Sequence, residues 1–171
     1  VLPRYPEIEI NFVDLDGTIL DDTERFAVDP ELKNRRWDTA YPYIVTKYSQ
    51  KGDEDEAFDT FLRAIDPSRL HLKWHTKFYD PNNIHHIILT AWNLKFQKRK
   101  VDLSNLNPDP DRVILVEDAK SKPLAMLQYF LKIGYIPGKV RFIDDRIDNF
   151  EWIDEELSTL LHTDVNFYRA L

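Results

Sequence analysis

The chain contains no cysteine, which excludes disulfides, thiol catalysis and cysteine-ligated zinc and says little about compartment. It also lacks any hydrophobic run near the roughly 20 residues that a membrane-spanning helix needs. No basic start leads into an apolar block, so a signal peptide is not expected. Positive charge is in short supply: 23 Lys and Arg stand against 30 Asp and Glu, and the net charge of −7 argues against binding nucleic acid through overall charge. Residues 21–83 hold no repeat and no low-complexity segment. What is there is a chain of 171 residues, 43% hydrophobic, enough to bury one sizeable core as a single domain over 1–171. These features lead us to expect a soluble, cytoplasmic protein with no membrane partner. Val1 in place of Met reads as a trimmed or processed start.

Chemistry enters with Phe12-Val13-Asp14-Leu15-Asp16-Gly17-Thr18, reached from the apolar stretch Ile8 to Val13. Strand side chains repeat with period two, so Asp14 and Asp16 leave the end of a strand on the same side. Gly17 permits a sharp turn and Thr18 adds a hydroxyl there. Two carboxylates aimed at one point suit phosphoryl transfer, one attacking phosphorus while the other moves protons. A calcium loop is the rival reading. It requires a further ligand at the next alternate position, a closing Glu and flanking helices, whereas Thr18 and Leu20 follow here and a strand precedes.

Three later stretches complete a pattern. Ile84 to Thr90 is an apolar run ending in a hydroxyl and followed by Ala91-Trp92-Asn93. Lys122-Pro123 opens the amphipathic stretch Leu124, Leu127, Phe130, Leu131, with proline suited to a first helical turn. Val140 to Ile143 runs into Asp144-Asp145-Arg146-Ile147-Asp148. In order and relative spacing these segments resemble the four motifs of the haloacid dehalogenase superfamily of phosphatases and phosphotransferases. The resemblance implies Asp14 as nucleophile, Asp16 as general acid and base, Thr90 on a phosphoryl oxygen and Lys122 orienting and charge-balancing the nucleophile. It implies a Mg²⁺ site built from Asp14, Asp16, Asp144 and Asp145, with Asp148 supporting it. Gly17, Thr18, Ala91, Trp92 and Arg146 become candidates for substrate contact.

The physical need for a metal stands beside the resemblance. A phosphate monoester is a dianion, and a carboxylate approaches it only where positive charge screens the repulsion. Mg²⁺ takes hard oxygen ligands, few of them from protein, and Lys122 adds a fixed cation. Without both, four acids in one crevice raise some of each other's pKa values and leave the nucleophile partly protonated.

Strands are expected near 8–14, 84–90, 112–117 and 140–144, with a last one at 165–168. Helices are expected over 55–65, 68–78, 92–99, 122–133 and 150–161. This alternation predicts an α/β fold: a three-layer, Rossmann-like, mainly parallel sheet with helices on both faces. Its ligand crevice lies beyond the carboxyl ends of the strands. The family resemblance adds a small or minimal cap, or a flap, inserted after the first strand within 21–83; an ordinary helical connection is the alternative.

The function expected is Mg²⁺-dependent hydrolysis of a phosphate monoester through an aspartyl-phosphate, on a small phosphorylated molecule. A polynucleotide end-processing phosphatase, an inactive binding module of the same fold and a phosphotransferase are the alternatives. A competing alignment, on Lys100 to Leu106 followed by Val113 to Asp118, resembles the carboxy-terminal-domain phosphatase branch and would make Glu117 and Asp118 the metal acids, but the short stretch from Thr90 to Glu117 leaves no room for a strand and helix to carry a lysine. The basic run Lys95 to Lys100 reads as a solvated helix face, with interleaved aromatics keeping a nucleic-acid groove open, as at Arg35-Arg36-Trp37. His71 and His75 read as packing or surface residues, and His85 and His86 as core or edge residues of a strand.

Overall fold

A computed structural model describes residues 2–20, 28–35, 37–64, 78–104, 106, 108–147 and 153–170. Five strands, β1 (Arg4–Val13), β2 (His86–Ala91), β3 (Val113–Val116), β4 (Ile136–Asp144) and β5 (Asp164–Arg169), form one sheet. All pairings are parallel, in the order β3-β2-β1-β4-β5. The helices are α1 (Trp37–Tyr48), α2 (Glu54–Arg63), α3 (Leu94–Leu103), α4 (Lys122–Ile133) and α5 (Asp154–Leu161).

Successive strand residues face opposite sides, and each side carries its own apolar core. Val13, Ile88 and Ile143 pack with Ala40 and Ile44 of α1, Phe58 and Phe61 of α2, and Phe96 of α3. Phe12, Ile87, Leu89 and Phe142 pack with Met126 and Phe130 of α4 and Leu157 and Leu161 of α5. The sheet is therefore wound on both faces, which is why its central strands end in unbroken apolar runs. Phe12 stacks on Phe142 at 5.3 Å and meets Phe130 at 6.0 Å, centring the second core on β1.

Local chemistry sets the ends of the elements. Asp53 caps α2 by accepting from the Glu56 N–H at 2.7 Å, and Glu54, Asp55 and Glu56 sit in the first turn, where the helix dipole favours acid. Asn93 caps α3 through the Phe96 N–H at 3.0 Å. Gly134 closes α4 at φ 83. β4 then begins earlier than the apolar pattern indicates, because Ile136 and Pro137 pair with Arg4 and Tyr5 before the register shifts. Gly138 lies against this irregularity; a Cβ there would stand 2.1 Å from the Pro6 carbonyl oxygen.

Residues 37–48, left without a helix in the sequence reading, form α1 with Pro42 inside it. Proline in a helix interior removes one backbone donor, and Pro42 sits at an exposed position. The layer is tied by ring contacts, Tyr41 to Phe58, Tyr48 to Phe61 and Phe58 to Phe96. Asp29, buried, anchors it further by accepting from Tyr43 and Tyr48 and from Lys47 at 2.8 Å. The helix expected over 68–78 falls on residues outside the described set, apart from Phe78, which lies in a turn. His71 and His75 fall outside it as well.

Candidate functional site

β1, β2 and β4 end side by side at the point where the strand order reverses direction around β1, and the candidate residues emerge there. Asp14 follows β1 directly, and its N–H donates to the Ile143 carbonyl at 2.8 Å, so the pairing with β4 continues to the nucleophile candidate. The chain then turns tightly: the N–H groups of Ile19 and Leu20 both donate to the Leu15 carbonyl, at 3.0 and 2.8 Å. Gly17 adopts φ 73 in this turn, and a Cβ there would stand 2.5 Å from Asp145 Oδ2. The second carboxylate of the acid pair thus closes directly onto glycine backbone.

Lys122 is the first residue of α4 and only 3% exposed. Its ammonium donates to Asp14 Oδ1 at 3.0 Å and to Asp144 Oδ2. Asp144 is fixed from the other side by the Arg146 N–H, which donates to Oδ1 at 2.8 Å. Asp14, Asp144 and Asp145 each offer an oxygen, all within 4.8 Å of one another, and this group could hold a metal ion. Burial, the largest influence, pushes the Asp14 carboxyl well above its ordinary value; the Lys122 ammonium pulls the other way, and the Asp144 and Asp145 charges add to the rise. Asp145 is raised too, by burial and by Asp144. Burial alone would lower Lys122, but the Asp14 and Asp144 carboxylates carry it up to about 12. One fixed cation therefore faces three carboxylates. An all-oxygen set with surplus negative charge fits a hard divalent cation.

These residues open into a cavity of about 290 Å³, with Asp14, Lys122, Asp144 and Asp145 among its lining. Ala91 and Trp92 from the end of β2 and Arg146 after β4 also line it. Trp92 holds φ 127, a strained value for a bulky residue, with its N–H donating to the Val116 carbonyl at 3.0 Å. Glu117 and Asp118, the acids of the competing alignment, are exposed and line the same cavity, but they are not members of the carboxylate triad.

Asp16 lines the cavity without joining the triad. Its carboxylate accepts from Lys100 Nζ at 2.6 Å and from Gln97 Nε2 at 2.8 Å. The same Gln97 amide donates to Thr90 Oγ1 at 2.6 Å. Thr90 and Thr18 are fully buried, and neither they nor Gly17 line the cavity. The Thr18 hydroxyl has no hydrogen-bond partner among the described residues. Asp148 lies outside the described residues, and no described residue of 21–83 lines the cavity.

Neither Gln97 nor Lys100 was read as a partner of Asp16 from the sequence, where both fall in the basic run and Lys100 also opens the stretch of the competing alignment. Their signal was present in the helical spacing: Phe96, Gln97, Lys100 and Val101 form the buried stripe of α3. A glutamine and a lysine within an apolar stripe call for buried partners. Elsewhere in the run Arg99 pairs with Asp59 and Asp55 and Lys95 lies 3.9 Å from Glu54, while Lys95 and Lys98 are exposed. Arg35 pairs with Glu31 at 3.0 Å and sits over the Tyr43 ring.

Fold and site together define an α/β protein with a lysine-bridged carboxylate cluster at the carboxyl edge of a parallel sheet. No family model, curated protein or solved structure matches the chain. Among the described residues no helix is long and apolar enough to cross a membrane.

Proposed function

We propose that the protein is a Mg²⁺-dependent phosphatase of the haloacid dehalogenase kind that hydrolyses small phosphate monoesters. The observation that carries this reading is the Lys122 ammonium held between Asp14, at 3.0 Å, and Asp144, with Asp145 closing the triad. A buried carboxylate needs such cationic company to stay ionised and to meet a phosphate dianion. Asp14, Asp144 and Asp145 would hold the Mg²⁺, which supplies charge screening for the phosphoryl oxygens. The first turn of α4 adds the positive end of its dipole beside Lys122.

In this mechanism an Asp14 carboxylate oxygen forms the new bond to phosphorus as the bond to the leaving oxygen breaks. Asp16 acts here in its protonated form, giving its proton to that oxygen and becoming the carboxylate. Asp16 then takes a proton from water, whose oxygen attacks phosphorus and releases phosphate, regenerating Asp14. A small substrate is favoured over a polynucleotide because Arg99 and Lys100 of the basic run are paired within the molecule and two further acids line the cavity.

The test is release of phosphate from para-nitrophenyl phosphate with and without Mg²⁺, comparing the native chain with Asp14→Asn. Metal-dependent turnover abolished by the substitution is expected. A folded, metal-binding protein that is silent on a broad panel of phosphate esters would instead be a binding module.

A further inference from the structure

We infer that Lys100 and Gln97, one turn apart on α3, are positioning residues that hold Asp16 in place for proton transfer. This rests on the phosphatase reading above. A carboxylate beyond the end of a strand has two torsions of its own, and efficient proton transfer needs it fixed within hydrogen-bond reach of the leaving oxygen. Here each of its oxygens has a dedicated donor, Lys100 Nζ at 2.6 Å on Oδ1 and Gln97 Nε2 at 2.8 Å on Oδ2. Neither donor has freedom to wander. The Lys100 side chain is 7% exposed and its ammonium lies 4.6 Å from the centre of the Phe96 ring, while Gln97 is fully buried.

Gln97 also reaches Thr90 Oγ1 at 2.6 Å. One amide therefore links the turn after β1 to the strand end of β2, setting the spacing between the proton-transfer group and the hydroxyl beside it. The energetic sense of the arrangement follows from burial. An ammonium placed in an apolar stripe is costly to desolvate unless it is paired, and the carboxylate it pairs with is the one that the proposed chemistry requires. Position is thereby coupled to stability of the α3 packing.

The experiment uses two substrates, para-nitrophenyl phosphate with a good leaving group and an alkyl phosphate with a poor one, at saturating Mg²⁺. Lys100→Met is expected to lower kcat for the alkyl ester by about 10- to 100-fold, to affect the nitrophenyl ester much less, and to leave KM for both nearly unchanged. Combined with Asp16→Asn it should cause no further loss, because both substitutions disable one function. Lys98→Met, exposed on the same helix, should match the native chain. Gln97→Met provides a second arm should Lys100→Met melt below the assay temperature, with the same leaving-group pattern expected. Equal losses on both esters, or losses additive with Asp16→Asn, would overturn the assignment while leaving the phosphatase reading intact. Absence of turnover in the native chain would remove that reading, and the inference with it.

Discussion

Asp14 is the residue on which stability and the proposed chemistry pull in opposite directions. Its carboxyl is raised by burial and by its acidic neighbours, so the folded chain binds a proton there more tightly than the unfolded chain. For a raised acid the stabilising contribution is full below the unfolded value and is lost as pH climbs through the folded one. Asp14→Asn removes that loss. In chelator-treated protein it should raise stability by about 0.5–2 kcal/mol near neutral pH, less in acid, while abolishing turnover; melting curves across pH check the sign. Lys122→Met acts the other way, leaving Asp14 and Asp144 buried beside each other without their shared cation. A loss of about 3–5 kcal/mol is expected, measurable by urea unfolding. Gly17→Ala tests the turn itself. The left-handed φ costs about 1–2 kcal/mol for a residue with a Cβ, and the new methyl displaces the Asp145 carboxylate, so calorimetric Mg²⁺ affinity should fall.

At the scale of elements, all five strands and four of the five described helices were legible, because apolar runs of strand length alternate with amphipathic stretches. What escaped had physical reasons. α1 carries Pro42 in its interior, and proline argues against a helix until one sees that its ring faces solvent. Pro42→Ala should therefore stabilise the chain, by up to about 3 kcal/mol, as read from thermal melts. The start of β4 escaped because Pro137 and Gly138 look like a turn. They are in fact an accommodation to the Pro6 backbone on the neighbouring strand. Candidate residues at strand ends, Asp14, Asp144 and Asp145, were readable since a strand terminus is a one-dimensional signal. The partners of Asp16 were not, because Lys100 meets it 84 positions away, across a helix face whose depth in the fold no local pattern reveals.

For the whole molecule, two acids give opposite responses to pH. Burial alone would raise Asp29, but hydrogen bonds from Lys47, Tyr48 and Tyr43 outweigh it and hold the carboxyl below its ordinary value. Its contribution is full above the unfolded value and is lost as pH falls through the folded one. Acid should thus loosen the α1 layer while relieving the carboxylate cluster. Asp29→Asn should flatten the acid limb of the stability profile and leave the Asp14-dependent rise in place. Metal should act globally: at a hundred times its dissociation constant, a single bound ion adds about 2.7 kcal/mol, or very roughly 5–10 °C in Tm for a chain of this size.

The ammonium that bridges the cluster belongs to a residue 108 positions beyond the aspartate it grips. Between the two in the chain lie α1, α2, β2, α3 and β3, so the contact is a long-range one that only the tertiary fold brings together. On the proposed reading, ion affinity would therefore gauge completed assembly. A chain released before its second half has been synthesised would carry the opening carboxylates but lack Lys122, Asp144 and Asp145, and so the proposed ion site would be incomplete.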